Sequence, residues 1–152
     1  MPLNQDFVGR CFVADVPFQV GREHIRQFAR AVGDDNPLYH DVDAARAAGF
    51  PDLVAPPTFL INAMPGTLGL PTEDEALGLD YTLVVHGEQR FELHRPVVAG
   101  DELVTSSTLT SIRAVGRNEV LVTTYRYDTT AGEQVATGIC TLVSRGTAAP
   151  RS

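Results

Sequence analysis

The sequence predicts an α+β domain in which a few helices cover one face of an antiparallel sheet. Three observations lead there. Apolar residues fall at helical spacing over the first third of the chain. From Tyr81 onward the runs are rich in Val, Thr, Tyr and Leu, which suit a pleated, half-buried surface. Three of those late runs are joined by turns short enough for antiparallel hairpins. A chain of 152 residues forms one domain and can bury roughly 70% of its unfolded surface, enough for a core without staples. We therefore expect a single domain over 1–146, with the small and polar residues 147–152 as a flexible tail.

Taken in order, residues 11–20 alternate as a strand. Ile25, Phe28, Ala29 and Val32 then lie at i, i+3, i+4 and i+7 and draw one apolar face on a helix from about Arg22, ended by Gly33. A second short helix is expected over 43–48, closed by Gly49. Pro56-Pro57-Thr58 opens a third through Phe59, Leu60, Ile61 and Met64, which Pro65-Gly66 ends or kinks. Residues 71–80 form a surface loop with at most one helical turn. Strands follow at 83–93, 102–115, 119–127 and 134–143, separated by Gly, Pro, Asn and Asp turns. We expect Ile25, Phe28, Phe59, Leu60, Phe91, Leu109 and Val122 in the core.

Charge removes several classes of function. The formal net charge is -7, whereas nucleic-acid binding needs a basic face to neutralise phosphates. All 12 basic residues are arginine, which excludes a lysine Schiff base and a P-loop lysine. A local patch drawn from Arg90, Arg95, Arg113, Arg117 and Arg126 still suits a phosphate of coenzyme A or an acidic carrier protein. No apolar run is long enough to span a bilayer, and the first residues lack a basic stretch followed by an apolar one, so we expect a cytoplasmic, non-membrane protein. Cys11 and Cys140 lie at no metal-ligand spacing and read as small, reduced core residues.

The segment Gly33-Asp34-Asp35-Asn36-Pro37-Leu38-Tyr39-His40-Asp41 carries the densest chemistry. Pro37 fixes its own φ and supplies no N–H, so Asp34 and His40 can converge from a tight turn. A histidine beside a carboxylate is a proton-transfer pair near neutral pH. The same residues also make an ordinary helix stop, with Gly33 left-handed and the polar side chains folding the loop. Both readings stand on these residues alone.

Four landmarks in order resemble the MaoC-like dehydratases of the hot-dog superfamily, within them the FAS1-like, N-terminal MaoC group that includes small actinobacterial (3R)-hydroxyacyl-ACP dehydratase subunits. They are Val20-Gly21-Arg22-Glu23 leading into the first helix, Gly33-Asp34-Asp35-Asn36-Pro37-Leu38-Tyr39, Leu53-Val54-Ala55-Pro56-Pro57-Thr58-Phe59, and His86-Gly87-Glu88-Gln89-Arg90-Phe91 followed by Arg95-Pro96-Val97-Val98-Ala99-Gly100-Asp101. The resemblance implies a hot-dog fold, a sheet wrapped around a central helix at about 58–64, paired with a second hot-dog unit as a homodimer or heterodimer. It implies reversible loss of water from a (3R)-3-hydroxyacyl thioester of CoA or ACP, with no metal or redox cofactor, in fatty-acyl or polyketide metabolism. Depth past Phe59, Ile61 and Leu68 sets the acyl length.

Carried over residue by residue, the catalytic acid falls on Asp34, with Asn36 and Pro37 on their counterparts. Tyr39 stands where the catalytic histidine is expected, and His40 follows one residue later. The expected catalytic pair is thus Asp34 and His40, with Asn36, Tyr39, Ala55, Pro57, Thr58, His86 and Gly87 contacting substrate. Because Pro56 and Pro57 lack N–H groups, Thr58 is the expected donor to the thioester oxygen. If Tyr39 fills the cleft instead, the chain is a binding subunit that needs a catalytic MaoC-like partner. A hot-dog thioesterase is a further alternative, though Thr58, Asn62 and Met64 offer no carboxylate on the central helix. His86 reads either as an interface residue or as a histidine satisfied by its strand neighbours. His24 and His94 read as surface or turn residues, and Gly87 permits close backbone approach.

Overall fold

A computed structural model describes residues 1–64 and 70–149. Six strands form one antiparallel sheet: β1 (Cys11–Val13), β2 (Phe18–Gln19), β3 (Val84–Leu93), β4 (Glu102–Val115), β5 (Asn118–Thr129) and β6 (Gln134–Ser144). The order across the sheet is β1-β4-β5-β6-β3, with β2 also against β4. Only β4, β5 and β6 form a meander. β3 crosses to the far side and pairs with β6, Val84 opposite Ser144 and Leu93 opposite Ala136. The strand expected over 11–20 is two short pieces, since the β1 and β2 registers on β4 leave residues 14–17 between them, and Pro17 cannot donate to a ladder.

Helix α1 (Arg22–Val32) ends at Gly33, whose φ of 72° is left-handed and whose N–H returns to the last turn. Ile25 and Ala29 are fully buried and Phe28 packs against the core. Val32, however, is 55% exposed, so the apolar face is one turn shorter than its spacing implies. Helix α2 (Val42–Ala47) is capped by Asp41, which accepts from the Asp43 and Ala44 N–H groups. Helix α3 (Leu70–Glu73) and a 3₁₀ turn at Glu75–Leu77 occupy the expected loop.

The central helix is a 3₁₀ segment, Phe59–Ala63, and not an α-helix. Met64 is already extended, with ψ of 123°, as the residue before a proline must be. Pro65-Gly66 and Leu68 lie outside the described residues. The sheet grips this segment: Thr105 Oγ1 donates to the Ala63 carbonyl at 2.9 Å and the Tyr127 hydroxyl reaches the Leu60 carbonyl at 3.5 Å. Phe59 is ringed by Phe18, His24 and Phe28 at centroid distances of 6.1, 5.0 and 5.6 Å. His24 is therefore part of an aromatic cluster, not a residue of the polar helix face.

The inward face of β5 is Leu121, Thr123, Tyr125 and Tyr127, all buried. Val122 is only half-buried because strand parity turns it outward. Ile25, Phe59, Leu60 and Leu109 are buried as expected, and Phe91 packs at the core edge. Cys140 is buried with its thiol pushed up to about 11 by desolvation, whereas Cys11 is exposed on β1, and both are free thiols. Residues 147 and 148, expected in the tail, pack on the fold. Thr147 is buried, and the Ala148 N–H donates to the Arg117 carbonyl at 3.1 Å. No helix among the described residues is long and apolar enough to cross a membrane.

Candidate functional site

The turn after α1 is built by a chain of side-chain caps. The Asp34 N–H closes back on the Ala29 carbonyl at 2.9 Å. Asp34 Oδ1 accepts the Asn36 N–H at 3.0 Å, and Asn36 Oδ1 accepts the Leu38 N–H at 3.1 Å. Those short polar side chains hold the 3₁₀ turn Pro37–Tyr39. Arg26 of α1 braces the far end through its Nε, which donates to the His40 carbonyl at 3.0 Å. Asp35 is exposed and Asp34 half-buried.

Tyr39 points inward and is 8% exposed. It lines a crevice of about 350 Å³, with Val54, Ala55 and Pro57 beside it and Leu93, His94, Arg95 and Pro96 opposite. Burial, and then the negative charge of Asp34, push its phenol pKa up, so Tyr39 stays a neutral hydrogen-bond donor and acceptor. His40 sits differently. Its Nε2 is 2.9 Å from the main-chain carbonyl oxygen of Asp34. A carbonyl only accepts, so Nε2 carries the proton and the imidazole ties the turn together.

The wall beside Tyr39 is positioned by a bridge between Val54 and Val98 and by hydrogen bonds from Ala55 N–H to the Val97 carbonyl and from Ala99 N–H to the Leu53 carbonyl. The Ala55 N–H is thereby used. Pro56 and Pro57 have none, and the Thr58 N–H has no partner among the described residues. Thr58 is exposed at the start of the central 3₁₀ segment. Its amide is the free donor of this wall.

The structure thus brings Asp34, Asn36, Tyr39 and His40 into one turn and sets Ala55, Pro57 and Thr58 beside it. His86 and Gly87 are elsewhere. Seven residues separate His86 from Leu93 along β3, roughly 23 Å of strand. The His86 Nε2 lies 3.2 Å from the Glu88 carbonyl and 3.5 Å from Cys140 Sγ. Gly87 forms a bulge, and a Cβ there would come within 3.3 Å of the Thr141 carbonyl, so its close approach is to β6.

Two crevice residues were not expected there, His94 having read as a surface or turn residue and Arg95 as one of a scattered patch suited to phosphate. His94 stands at the rim with its Nε2 3.4 Å from Thr137 Oγ1. Arg95 makes a two-pronged contact to Asp101 at 2.9 and 3.0 Å and also pairs with Glu133, and those partners raise its already high pKa. Their signal was Pro96 straight after the strand, which turns the chain back toward Leu53-Val54-Ala55. Beyond Arg95 and Pro96 a second hollow of about 330 Å³ is lined by Phe50, Pro51, Val98 and Asp101. Among the described residues no group of three or more His, Cys, Asp or Glu is arranged to hold a metal ion.

Comparison with known proteins adds a family to this geometry. Residues 6–138 match the family described as FAS1-like, dehydratase domain region. A UPF0336 protein of Parafrankia sp. is 77% identical over 151 residues, covering 99% of this chain and all of that protein. A UPF0336 protein of Streptomyces avermitilis is 48% identical over 145 residues, 95% of this chain and 97% of its own. Among solved structures, a MaoC-like dehydratase aligns at a TM-score of 0.79 and 35% identity over 91% of this chain, which spans 42% of that longer chain. The HadBC (3R)-hydroxyacyl-ACP dehydratase complex of Mycobacterium tuberculosis aligns at 0.77 and 33% identity, covering 93% of this chain and 99% of the other. The ChsH1-ChsH2 complex of the same organism aligns at 0.67 and 26% identity over 94% of this chain and 86% of its own.

Proposed function

Because this chain belongs to the FAS1-like dehydratase-domain family of MaoC-like hot-dog proteins, we propose that it is the acyl-binding subunit of a heteromeric (3R)-3-hydroxyacyl-thioester dehydratase. The observation that carries this reading is the exchange of roles between neighbours. Tyr39 is buried in the crevice where the family resemblance expects the catalytic imidazole, while the His40 ring is spent on the Asp34 carbonyl. The crevice walls are mainly apolar and suit an acyl chain. Two of the structural neighbours are complexes of unlike chains by their names, HadBC and ChsH1-ChsH2, which supports a hot-dog partner here.

In this reading the partner's own acid/base pair removes the C2 proton and protonates the departing C3 hydroxyl, giving the trans-2-enoyl thioester and water. This chain supplies the wall that holds the acyl group, and Thr58 N–H and the Tyr39 hydroxyl supply fixed polar contacts. No cofactor enters. The reaction is reversible, and its setting is cytoplasmic acyl-chain metabolism.

A second reading keeps Asp34 and His40 as catalytic residues of a self-sufficient hydratase. It is favoured by their presence in one turn, with the His40 ring already against the Asp34 main chain and Nδ1 left as an open lone pair in the neutral form. Hydration of crotonyl and longer enoyl thioesters separates the two. The subunit reading expects no turnover by the purified chain and turnover on adding a MaoC-like partner. Turnover by the chain alone, abolished by His40→Ala, would establish the second.

A further inference from the structure

Five arginines of this acidic chain are neutralised by carboxylates: Arg22 and Arg46 by Asp52, Arg26 by Glu23, Arg95 by Asp101 and Glu133, and Arg126 by Asp128. Arg117 and Arg145 are not. They line a groove of about 540 Å³ with Leu83, Asn118 and Gly146, between the β4–β5 turn and the end of β6. Arg145 Nε and Nη2 donate to the main-chain oxygens of Leu83 and Thr82 at 3.2 and 3.4 Å. Neutral carbonyls fix that guanidinium without cancelling its charge. Arg117 has no side-chain partner among the described residues. Asn118 Oδ1 accepts the Gly146 N–H at 3.0 Å, which leaves its NH₂ as a donor.

Carboxylates adjoining the groove along the chain are occupied. Glu119 is 3% exposed and takes the Leu3 N–H on both oxygens, at 3.2 and 3.0 Å. Asp80 accepts both the N–H and the hydroxyl of Thr82. Two uncompensated guanidinium groups and an amide donor around one hollow form a receptor for a compact phosphate oxyanion. The net charge of -7 repels a long polyanion, so a single phosphate group is the matching ligand.

Position in the sheet identifies which phosphate. The groove lies at the Val84 end of β3, and the Tyr39 crevice lies at the Leu93 end. Ten residues of strand separate them, about 30 Å, too far for one pantetheine arm to serve both within one chain. β3 is also the last strand of the sheet. A partner strand pairing antiparallel and in register along that edge would set the start of one β3 beside the end of its neighbour's, and this groove beside the crevice of the partner. We propose that Arg117 and Arg145, with Asn118, bind the phosphate of the pantetheine arm that delivers an acyl thioester to the partner's crevice. This rests on the heteromeric reading above, and the phosphate belongs either to coenzyme A or to a carrier protein.

Inorganic pyrophosphate titrated calorimetrically into the isolated chain at low salt probes the groove directly. One saturable site is expected, weakened at least about tenfold in the Arg117→Gln/Arg145→Gln variant, since each charge-assisted bond is worth one to two powers of ten. Equal binding by both proteins, or by neither, overturns the site. With the assembled dehydratase, the same variant should raise KM for an enoyl-CoA about tenfold at constant kcat and leave KM for the phosphate-free enoyl-pantetheine unchanged. A rise confined to an enoyl carrier protein assigns the phosphate to the carrier, and one confined to enoyl-CoA assigns it to the coenzyme. An equal rise with enoyl-pantetheine overturns the phosphate assignment. If no partner confers activity, the heteromeric reading fails, while the pyrophosphate titration still decides the groove.

Discussion

Tyr39 and His40 are neighbours in sequence and opposites in environment, and that difference is decided by one step of a 3₁₀ turn. Asn36 starts the turn by accepting the Leu38 N–H, which fixes where the next two side chains point. Asn36→Ala should cost about 1 kcal/mol of stability, read by urea denaturation, and should loosen Tyr39 in its crevice. His40→Ala should leave kcat of the assembled dehydratase within about twofold, because a group must come within about 3 Å of the proton it transfers and this ring is turned to the Asp34 carbonyl. The dense turn at 33–41 was legible in the sequence as a candidate site. Which of its side chains would enter the crevice was not, because a one-residue shift on a turn depends on backbone caps and not on residue type. His94 was missed for a related reason: a histidine beside a turn looks solvated until the turn is folded back against Leu53-Val54-Ala55.

At the scale of elements, α1 and the four long strands were legible because their periods of 3.6 and 2 persist for ten residues or more. The central helix was located correctly and typed wrongly. Its flanking prolines confine it to five residues, and so short a segment closes more readily as 3₁₀ turns. The inward face of β5 was misjudged because Thr123, Tyr125 and Tyr127 look more polar than Val122, yet parity buries them. Tight packing there gives a test. A Cβ at Gly138 would lie 3.2 Å from Tyr127 and 3.3 Å from Phe91, so Gly138→Ala should destabilise by about 1–3 kcal/mol, measured as a lower urea midpoint with an unchanged slope.

The junction between α1 and the 50–55 loop carries a pH dependence. A hydrogen bond from Arg22 holds the Asp52 carboxyl at about 2, below its ordinary 3.8, against the opposing effect of burial. A depressed carboxylate contributes stability above its unfolded pKa and loses it as pH falls through the folded value. Arg22→Ala should therefore destabilise the protein at pH 6, with a deficit that shrinks between about pH 4 and pH 2. Urea midpoints of both proteins across that window would reveal the convergence; a deficit independent of pH would contradict it.

For the whole molecule, the order of landmarks along the chain made the architecture readable, since each landmark sits where a distinct element begins. Strand order was less readable. Nothing in the composition of 83–93 says that this strand crosses to β6 instead of joining the meander, because any alternating strand satisfies either edge equally well. That crossing leaves β3 at the rim of the sheet, with Val85 and Leu93 43% and 38% exposed, a rim that a second hot-dog unit can cover. Long exposed edges invite pairing. Mixed with a MaoC-like partner, the chain should sediment as a heteromer whose formation is blocked by Val85→Pro, since proline removes an N–H and cannot continue an edge ladder.

The division of labour between this chain and its partner is tested most directly by enoyl-thioester hydration, measured with the purified chain, with the partner, and with both together. Activity confined to the mixture, retained by His40→Ala in this chain and lost when the partner's own catalytic histidine is replaced, is the result this account predicts. Robust hydration by the isolated chain, abolished by His40→Ala, would contradict it and return the chemistry to Asp34 and His40.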